Sequence, residues 1–301
     1  MGIKESSSML PHLLQQRYNK ETCGLPHPKC TTECFYGDKG CVCHQSTYYR
    51  FPCKESYKIC KEGEHELFDY SKIDPHHSAA MPPNHQCNKI NQGVTEEEKQ
   101  LILDLHNTFR AKVARGEEHR SPHDGVSQPG GSNIKELIWN EELAYIAQKW
   151  ANQCYFGHER RYSRRATCSR MYDYVGQNLY KIIQYGLHST SKWSLVIHGW
   201  YNEVVNTPIS IVESFDSGVT TKKIGHYTQL VWAETSEIGC GAVVYSTMSH
   251  YGYESTTLYV CNYGPGGNII GEEMYKTGEA ASECGESGKS TKYPELCATR
   301  F

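Results

Sequence analysis

Fourteen cysteines are the first residues in this 301-residue chain that could do chemistry, and that chemistry is oxidation in pairs. The cytosol keeps thiols reduced, so an even set of this size reads as a secreted, disulfide-bridged protein. Zinc sites are the alternative, and the spacing argues against them. No Cys-x-x-Cys pair occurs, and Cys41-Val-Cys43-His44 alone is a poor ligand set. His65, His76, His77 and His85 share no metal-ligand spacing and read as solvated loop residues. Hydrolysis would need a nucleophile beside a base. The chain has neither a Gly-x-Ser-x-Gly elbow nor a His-Glu-x-x-His helix. Thr228 lies two residues from His226, and no serine has a distinctive context. A basic run, Arg160, Arg161, Arg164, Arg165 and Arg170, could meet an acidic partner such as a channel vestibule or a glycosaminoglycan, but reads first as a solvated loop.

Composition narrows the class further. Thirty-one basic against 34 acidic side chains leave a net charge of −3, so there is no global attraction for nucleic acid or an anionic membrane. Hydrophobic residues at 38% with 22% charged describe a globular chain. No stretch reaches transmembrane length. Met1–Lys20 lacks a signal-peptide core, because Pro11 and His12 interrupt its apolar residues. Residues 1–22 therefore read as disordered, or as a region where the true signal start is missing.

The elements that must position any site follow from local patterns. Residues 23–93 hold eight cysteines with Pro, Gly, Tyr and Lys and no helical period, so they read as a stapled, irregular extension, with 61–93 as its connector. Thr95-Glu96-Glu97-Glu98 is a capping box, followed by Leu101, Leu105, Phe109 and Val113 at helical spacing. Asn140 caps a second helix with Glu141 and Glu142 in its first turn. A third, short helix is expected over 178–185, and a fourth carries Trp193, Ile197, Trp200 and Val204. The period then changes to two, and 239–247 with 256–263 read as paired strands. Helices first and strands late argue for an α+β domain or a layered α/β/α sandwich.

Two segments are more specific: Gly225-His226-Tyr227-Thr228-Gln229-Leu230-Val231-Trp232, and Leu258-Tyr259-Val260-Cys261-Asn262-Tyr263-Gly264-Pro265-Gly266-Gly267-Asn268-Ile269. Both resemble signatures of the CAP superfamily (cysteine-rich secretory, antigen-five, pathogenesis-related). His106-Asn107-x-x-Arg110, Trp139-Asn140-x-x-Leu143-Ala144, Trp150-Ala151-Asn152-Gln153-Cys154 and Val175-Gly176-Gln177-Asn178-Leu179 appear in the family's order. The resemblance is nearest to the arthropod antigen-five branch of venoms and saliva. It implies a three-layer α/β/α sandwich over 94–277, with a disulfide tail over 278–301.

The resemblance also implies a central cleft. Carried over by motif, its histidines are His158 and His226, and one of its acids is Glu203. The other acidic position falls on Gln177, which can hydrogen-bond but cannot take a proton or balance a metal's charge. His158 and His226 would coordinate a weakly bound divalent metal such as zinc, with Glu203 orienting one ring. A lipid cleft walled by Leu179, Ile182 and Ile183 is a further implication of the family, beside Tyr180, Tyr185 and Leu187. The implied bridges are Cys240–Cys261, Cys87–Cys154 and Cys284–Cys297, with Cys168 tied to the cysteine-rich region. The reading is a secreted, monomeric venom or salivary protein and allergen that binds a host protein, ion channel or lipid. The alternative is a metal-assisted or serine-type extracellular hydrolase.

Overall fold

A computed structural model of the chain describes residues 63–122, 125–168, 170–250 and 252–300, together with three short strands before them. Residues 1–22 lie outside the described residues, as do Cys23, Cys30, Cys53 and Cys60. The chain divides into two units at Ile59 and Cys60. In the first, β1 (Cys34–Gly37), β2 (Gly40–Cys43) and β3 (Arg50–Phe51) pair antiparallel in that order, with Cys34 opposite Cys43. Strand pairing is therefore present in the extension expected to be irregular.

In the second unit, the first two helices start where their caps are encoded. The Thr95 hydroxyl accepts the Glu98 N–H at 3.2 Å, and the Glu98 carboxylate accepts the Thr95 N–H at 2.9 Å, giving the reciprocal box that opens α1 (Glu96–Ala114). Asn140 accepts the Leu143 N–H at 2.9 Å and opens α2 (Glu141–Ala151). Helix α3 (Trp193–Tyr201) continues into a 3₁₀ turn over Asn202–Asn206, and α4 (Gly225–Val231) follows.

The main sheet contains β4 (Lys89–Gln92), β5 (Ile138–Trp139), β6 (Gly176–Tyr185), β7 (Glu237–Ser249) and β8 (Gly252–Gly264). Its order is β4-β7-β8-β6, with β5 pairing β7 in parallel. Side chains on β8 alternate between two cores. Tyr259, Cys261 and Tyr263 join the cluster built by α1, α3 and α4. Leu258 and Val260 join Ala147, Trp150 and Ala151 of α2. The second unit is thus a three-layer α/β/α sandwich. Because both faces of β8 are covered there, 258–261 reads as an unbroken apolar run.

Segment 178–185 is the main correction. It is all but the first two residues of β6 and not a helix; the strand pairs with β8 from Gly176 opposite Tyr263 to Tyr185 opposite Glu254. A short apolar run does not reveal its own period, and the aromatic and β-branched side chains suit a strand once a partner is present. The candidate lipid wall dissolves with the helix. Leu179 packs on the α2 side, Ile182 packs on the α1 side, and Ile183 is 53% exposed.

Three other expectations are overturned in whole or in part, although His76 and His85 are exposed as expected. His77 is fully buried, stacked on Tyr70 with ring centroids 4.7 Å apart, and His65 is buried with its ring edge-on to Tyr145. The 61–93 stretch also supplies β4 to the sheet, so it is not a mere connector. In the basic run, Arg164 is buried and donates to Val175 O, Arg170 pairs with Glu237, and Arg161 lies over the Tyr174 ring. Arg160 and Arg161 remain exposed.

Helix α2 lies close on β7 because Gly239 and Gly241 carry no side chain. A Cβ at Gly239 would overlap the backbone of Ala144 and Asn140, and one at Gly241 would overlap Gln148. Gly239→Ala is expected to cost about 2 kcal/mol, since neither backbone can yield cheaply. A thermal melt checks this, and an unchanged midpoint would contradict it.

Candidate functional site

The site forms where the buried start of β6 meets the first turn of α4. The 3₁₀ turn after α3 carries Glu203 to the same place. Glu203 accepts three donors from α4: His226 Nδ1–H at 2.7 Å, His226 N–H at 2.9 Å and Tyr227 N–H at 3.4 Å. A carboxylate only accepts when ionised, so it selects the His226 tautomer with the proton on Nδ1. The Trp200 ring stacks beside this imidazole.

His158 arrives from the other side, on the loop after α2. That loop is anchored by the Cys87–Cys154 disulfide and by Trp150 Nε1–H donating to Gly157 O at 2.9 Å. His158 Nδ1 meets Gln177 Oε1 at 2.9 Å. The orientation of the Gln177 amide is set elsewhere. Its Nε2 donates to the Glu159 carboxylate at 3.1 and 3.2 Å and to Asn262 Oδ1 at 3.0 Å. With both amide hydrogens committed, Oε1 is left to accept from His158, whose proton must also sit on Nδ1. The two histidines therefore share one tautomer, and no described residue hydrogen-bonds either Nε2 atom. Partial desolvation at the cleft wall pushes the His158 pKa below its ordinary value. Gln177 opposes that shift, while Arg164, and His226 when protonated, add to it.

An open cleft of about 340 Å³ is lined by both imidazoles, Gln177, Asn268, Lys222 and Lys223, among others. Glu203, behind His226, is not part of the lining. The structure brings His158 and His226 to the same cleft, each bound through Nδ1, His158 to Gln177 and His226 to Glu203. It does not bring Leu179, Ile182 or Ile183 into the lining. Thr228 is buried, and its hydroxyl donates to Asn268 Oδ1 at 2.6 Å and not to His226. Among the described residues, no group of three or more His, Cys, Asp or Glu side chains could hold a metal ion.

Glu159 went unnoticed in the sequence. It is buried beside His158, and burial pushes its carboxyl pKa up to about 7 against the pull of Arg164 and Gln177. Its only signal is an acid directly after the histidine of Gly157-His158-Glu159. The motif His106-Asn107-x-x-Arg110 proves structural instead. His106 Nδ1–H donates to Ile102 O at 2.7 Å, and its Nε2 accepts from the Tyr263 hydroxyl at 3.0 Å. Burial lowers its pKa to about 4 and keeps the ring neutral. The Tyr263 hydroxyl lies 3.2 Å from Asn178 Nδ2, which also donates to His226 O at 3.1 Å, so a buried polar network supports α4 from below.

Disulfides also join Cys240 to Cys261, directly opposite each other on β7 and β8, and Cys284 to Cys297 in the tail. Cys168 is disulfide-bonded as well. The cysteine-rich segment expected to hold it falls largely outside the described residues. No helix among the described residues is long and apolar enough to cross a membrane.

Comparison with known proteins agrees with the geometry. The profile described as "CAP: Cysteine-rich secretory protein family" matches residues 103–263. Scoloptoxin SSD976 of Scolopendra dehaani is 40% identical over 211 residues, which is 70% of this chain and 89% of that protein. Venom allergen 5 of Polybia scutellaris rioplatensis is 40% identical over 242 residues, 76% of this chain and 98% of that one. Among solved structures, the one described as "Crystal structure of NaASP2 with Zn2+" superposes with a TM-score of 0.55 at 27% identity, covering 68% of this chain and 97% of that one.

Proposed function

The chain belongs to the CAP family of cysteine-rich secretory proteins, and from that premise we propose a secreted venom- or saliva-type protein that acts by binding, with the two-histidine cleft as a ligand site. One observation carries the site. Both imidazoles are held through Nδ1, so both Nε2 lone pairs are left to the cleft as acceptors. Two neutral imidazole nitrogens suit a divalent cation such as zinc, with His158 and His226 as its protein ligands and solvent completing the shell. A two-ligand site holds metal less firmly than the three- and four-ligand sets of catalytic and structural zinc, so the ion would exchange. Gln177 serves His158 as Glu203 serves His226, by accepting the Nδ1 proton. The neighbour NaASP2 was crystallised with Zn2+, in line with this reading.

Turnover has less support. Among the described residues no Ser, Thr or Cys side chain hydrogen-bonds His158 or His226, so the site lacks an activated nucleophile. A binder of host molecules needs none. A disulfide-bridged sandwich can present loops and a cleft outside the cell, and the two venom relatives fit that role.

Calorimetric titration of zinc into the oxidised protein tests the reading. One site is expected, weakened at least tenfold in His158→Ala and again in His226→Ala. Wild-type isotherms from both variants would overturn the metal site. Peptide or ester hydrolysis that disappears in His226→Ala and Glu203→Ala would overturn the choice of binding over turnover.

A further inference from the structure

Gln177 poses a question that the cleft itself does not answer. An amide has a donor end and an acceptor end of nearly equal shape, and only one orientation presents Oε1 to His158. In the other, Nε2 would face His158, whose proton would then shift to Nε2 and occupy the nitrogen that faces the cleft. Something beyond the amide must choose.

Two acceptors lie at the far end of Gln177. Asn262 Oδ1 is one, at 3.0 Å, on an amide whose own Nδ2 is anchored, among the described residues, by a 3.4 Å bond to Leu143 O alone. Asn262 is itself an amide and could turn over with its neighbour. The Glu159 carboxylate is the other, and both its oxygens lie within 3.2 Å of Gln177 Nε2. When ionised, above its pKa of about 7, this carboxyl cannot present a donor by turning over, and a hydrogen bond to an ionised acceptor is roughly twice as strong as a neutral one. Glu159 is 8% exposed, and its surroundings hold it in place. Arg164, also buried, donates to Glu159 O at 3.2 Å and to Val175 O at 2.7 Å, so the cation is fixed to the backbone on both sides of the acid. Glu159 thus faces inward to Gln177, away from solvent.

We infer that Glu159 is the acid that serves His158, acting through Gln177 as a positioning residue: its carboxylate fixes the amide, and the amide fixes the His158 proton on Nδ1 so that Nε2 faces the cleft. The arrangement restores at position 159 what is missing at 177. His226 is held by a carboxylate directly, and His158 by a carboxylate one amide removed. Once ionised, Glu159 also places a negative charge behind His158, as Glu203 does behind His226. The cleft is therefore flanked by two acids, neither of which enters it. The inference rests on the two-histidine reading for its consequence in metal binding, but not for its consequence in the tautomer.

Nitrogen-15 NMR of the histidine rings, with zinc titration alongside, tests it. In the metal-free wild type, His158 and His226 should both show the Nδ1–H pattern. Glu159→Leu should bring His158 toward a mixture of tautomers and weaken zinc about tenfold, the lower end of what losing a partner of a metal-bound histidine costs. His226 should keep its shifts in the same sample and serve as an internal control. Glu159→Gln keeps an acceptor while removing the charge, so it should hold the His158 tautomer, with zinc affinity between the other two. A folded Glu159→Leu with a pure Nδ1–H His158 and wild-type zinc affinity would overturn the inference and leave Asn262 as the orienting group. If Glu159→Leu does not fold, wild-type zinc affinity in Glu159→Gln overturns it. A wild type that binds no zinc, with the tautomer of His158 still shifting in Glu159→Leu, would sink the metal reading and leave the positioning role standing.

Discussion

Arg110→Met is expected to destabilise the protein by at least ~4 kcal/mol, lowering the melting temperature by about 10 °C or more. Arg110 is fully buried and donates all of its guanidinium hydrogens to backbone carbonyls. Nε reaches Lys135 O at 2.7 Å, Nη1 reaches Leu230 O and Trp232 O at 2.8 and 2.9 Å, and Nη2 reaches Thr235 O at 2.9 Å and Ala233 O at 3.4 Å. Among the described residues no carboxylate hydrogen-bonds it, so carbonyl dipoles are its direct partners, with Tyr263 and Glu234 acting on the charge from further off. Burial accordingly pulls its pKa below the ordinary value. Methionine has a similar stem and no donors, and it would strand several buried acceptors, each costing about 1–3 kcal/mol. Leu230 O belongs to the last turn of α4, where carbonyls have no helical partner, so Arg110 acts as a cap from another element. His226 stands at the other end of the same helix, and zinc binding should weaken together with the melt. Arg110→Lys keeps the charge but supplies three donors without the fork, and it should recover only a small part of the loss. A melting point within a few degrees of wild type in Arg110→Met would contradict this account.

Glu118 is expected to govern the acid limb of stability. It is fully buried, and burial alone would raise its pKa. Arg120, Tyr201 and Lys112 outweigh that by donating to its oxygens at 2.6 to 3.0 Å, and they hold the carboxyl at about 2 against an ordinary 4.5. The folded pKa lies below the unfolded one. The contribution is therefore complete above pH 4.5, and it is lost as the pH falls from there toward 2. Its size is up to about 3 kcal/mol, with some discount because Arg120 and Lys112 are partly solvated. Glu118→Gln should melt several degrees lower at neutral pH, and the two proteins should converge near pH 2. Melting curves at a series of pH values decide it. A constant gap between them down to pH 2 would show that the carboxylate is not the origin of the acid sensitivity.

These two residues also show how the sequence could mislead about roles. Arg110 lies in a family motif and invites a chemical reading, yet it is a scaffold. Glu118 lies in no motif and ties a loop to α1 and α3. Conversely, Glu159 is adjacent to a recognised histidine and passed as one more charge at the head of an arginine run. Arg164 shows why that run misled. A string of like charges reads as solvated because sequence reports spacing and not burial, and one member of this string is the buried neighbour of an acid.

What could be read in the chain alone was whatever depends on a few consecutive residues. The capping box at Thr95, the Asn140 cap and the paired strands around Cys240 and Cys261 each lie within one turn or one hairpin, and each stands where it was expected. The family signatures carried the sandwich and the identities of His158, Glu203 and His226 with them. Only the tertiary structure decided the rest. Residues 178–185 became a strand because β8, some 75 positions later, supplies the hydrogen-bond partners that a helix would otherwise satisfy internally. The shared tautomer of the two histidines depends on acceptors from a 3₁₀ turn, from β6 and β8, and from a buried acid, none of which announces its neighbours in sequence. Local sequence sets backbone preference over a few bonds. The position of a proton on a ring is set by whichever acceptor folding places beside it.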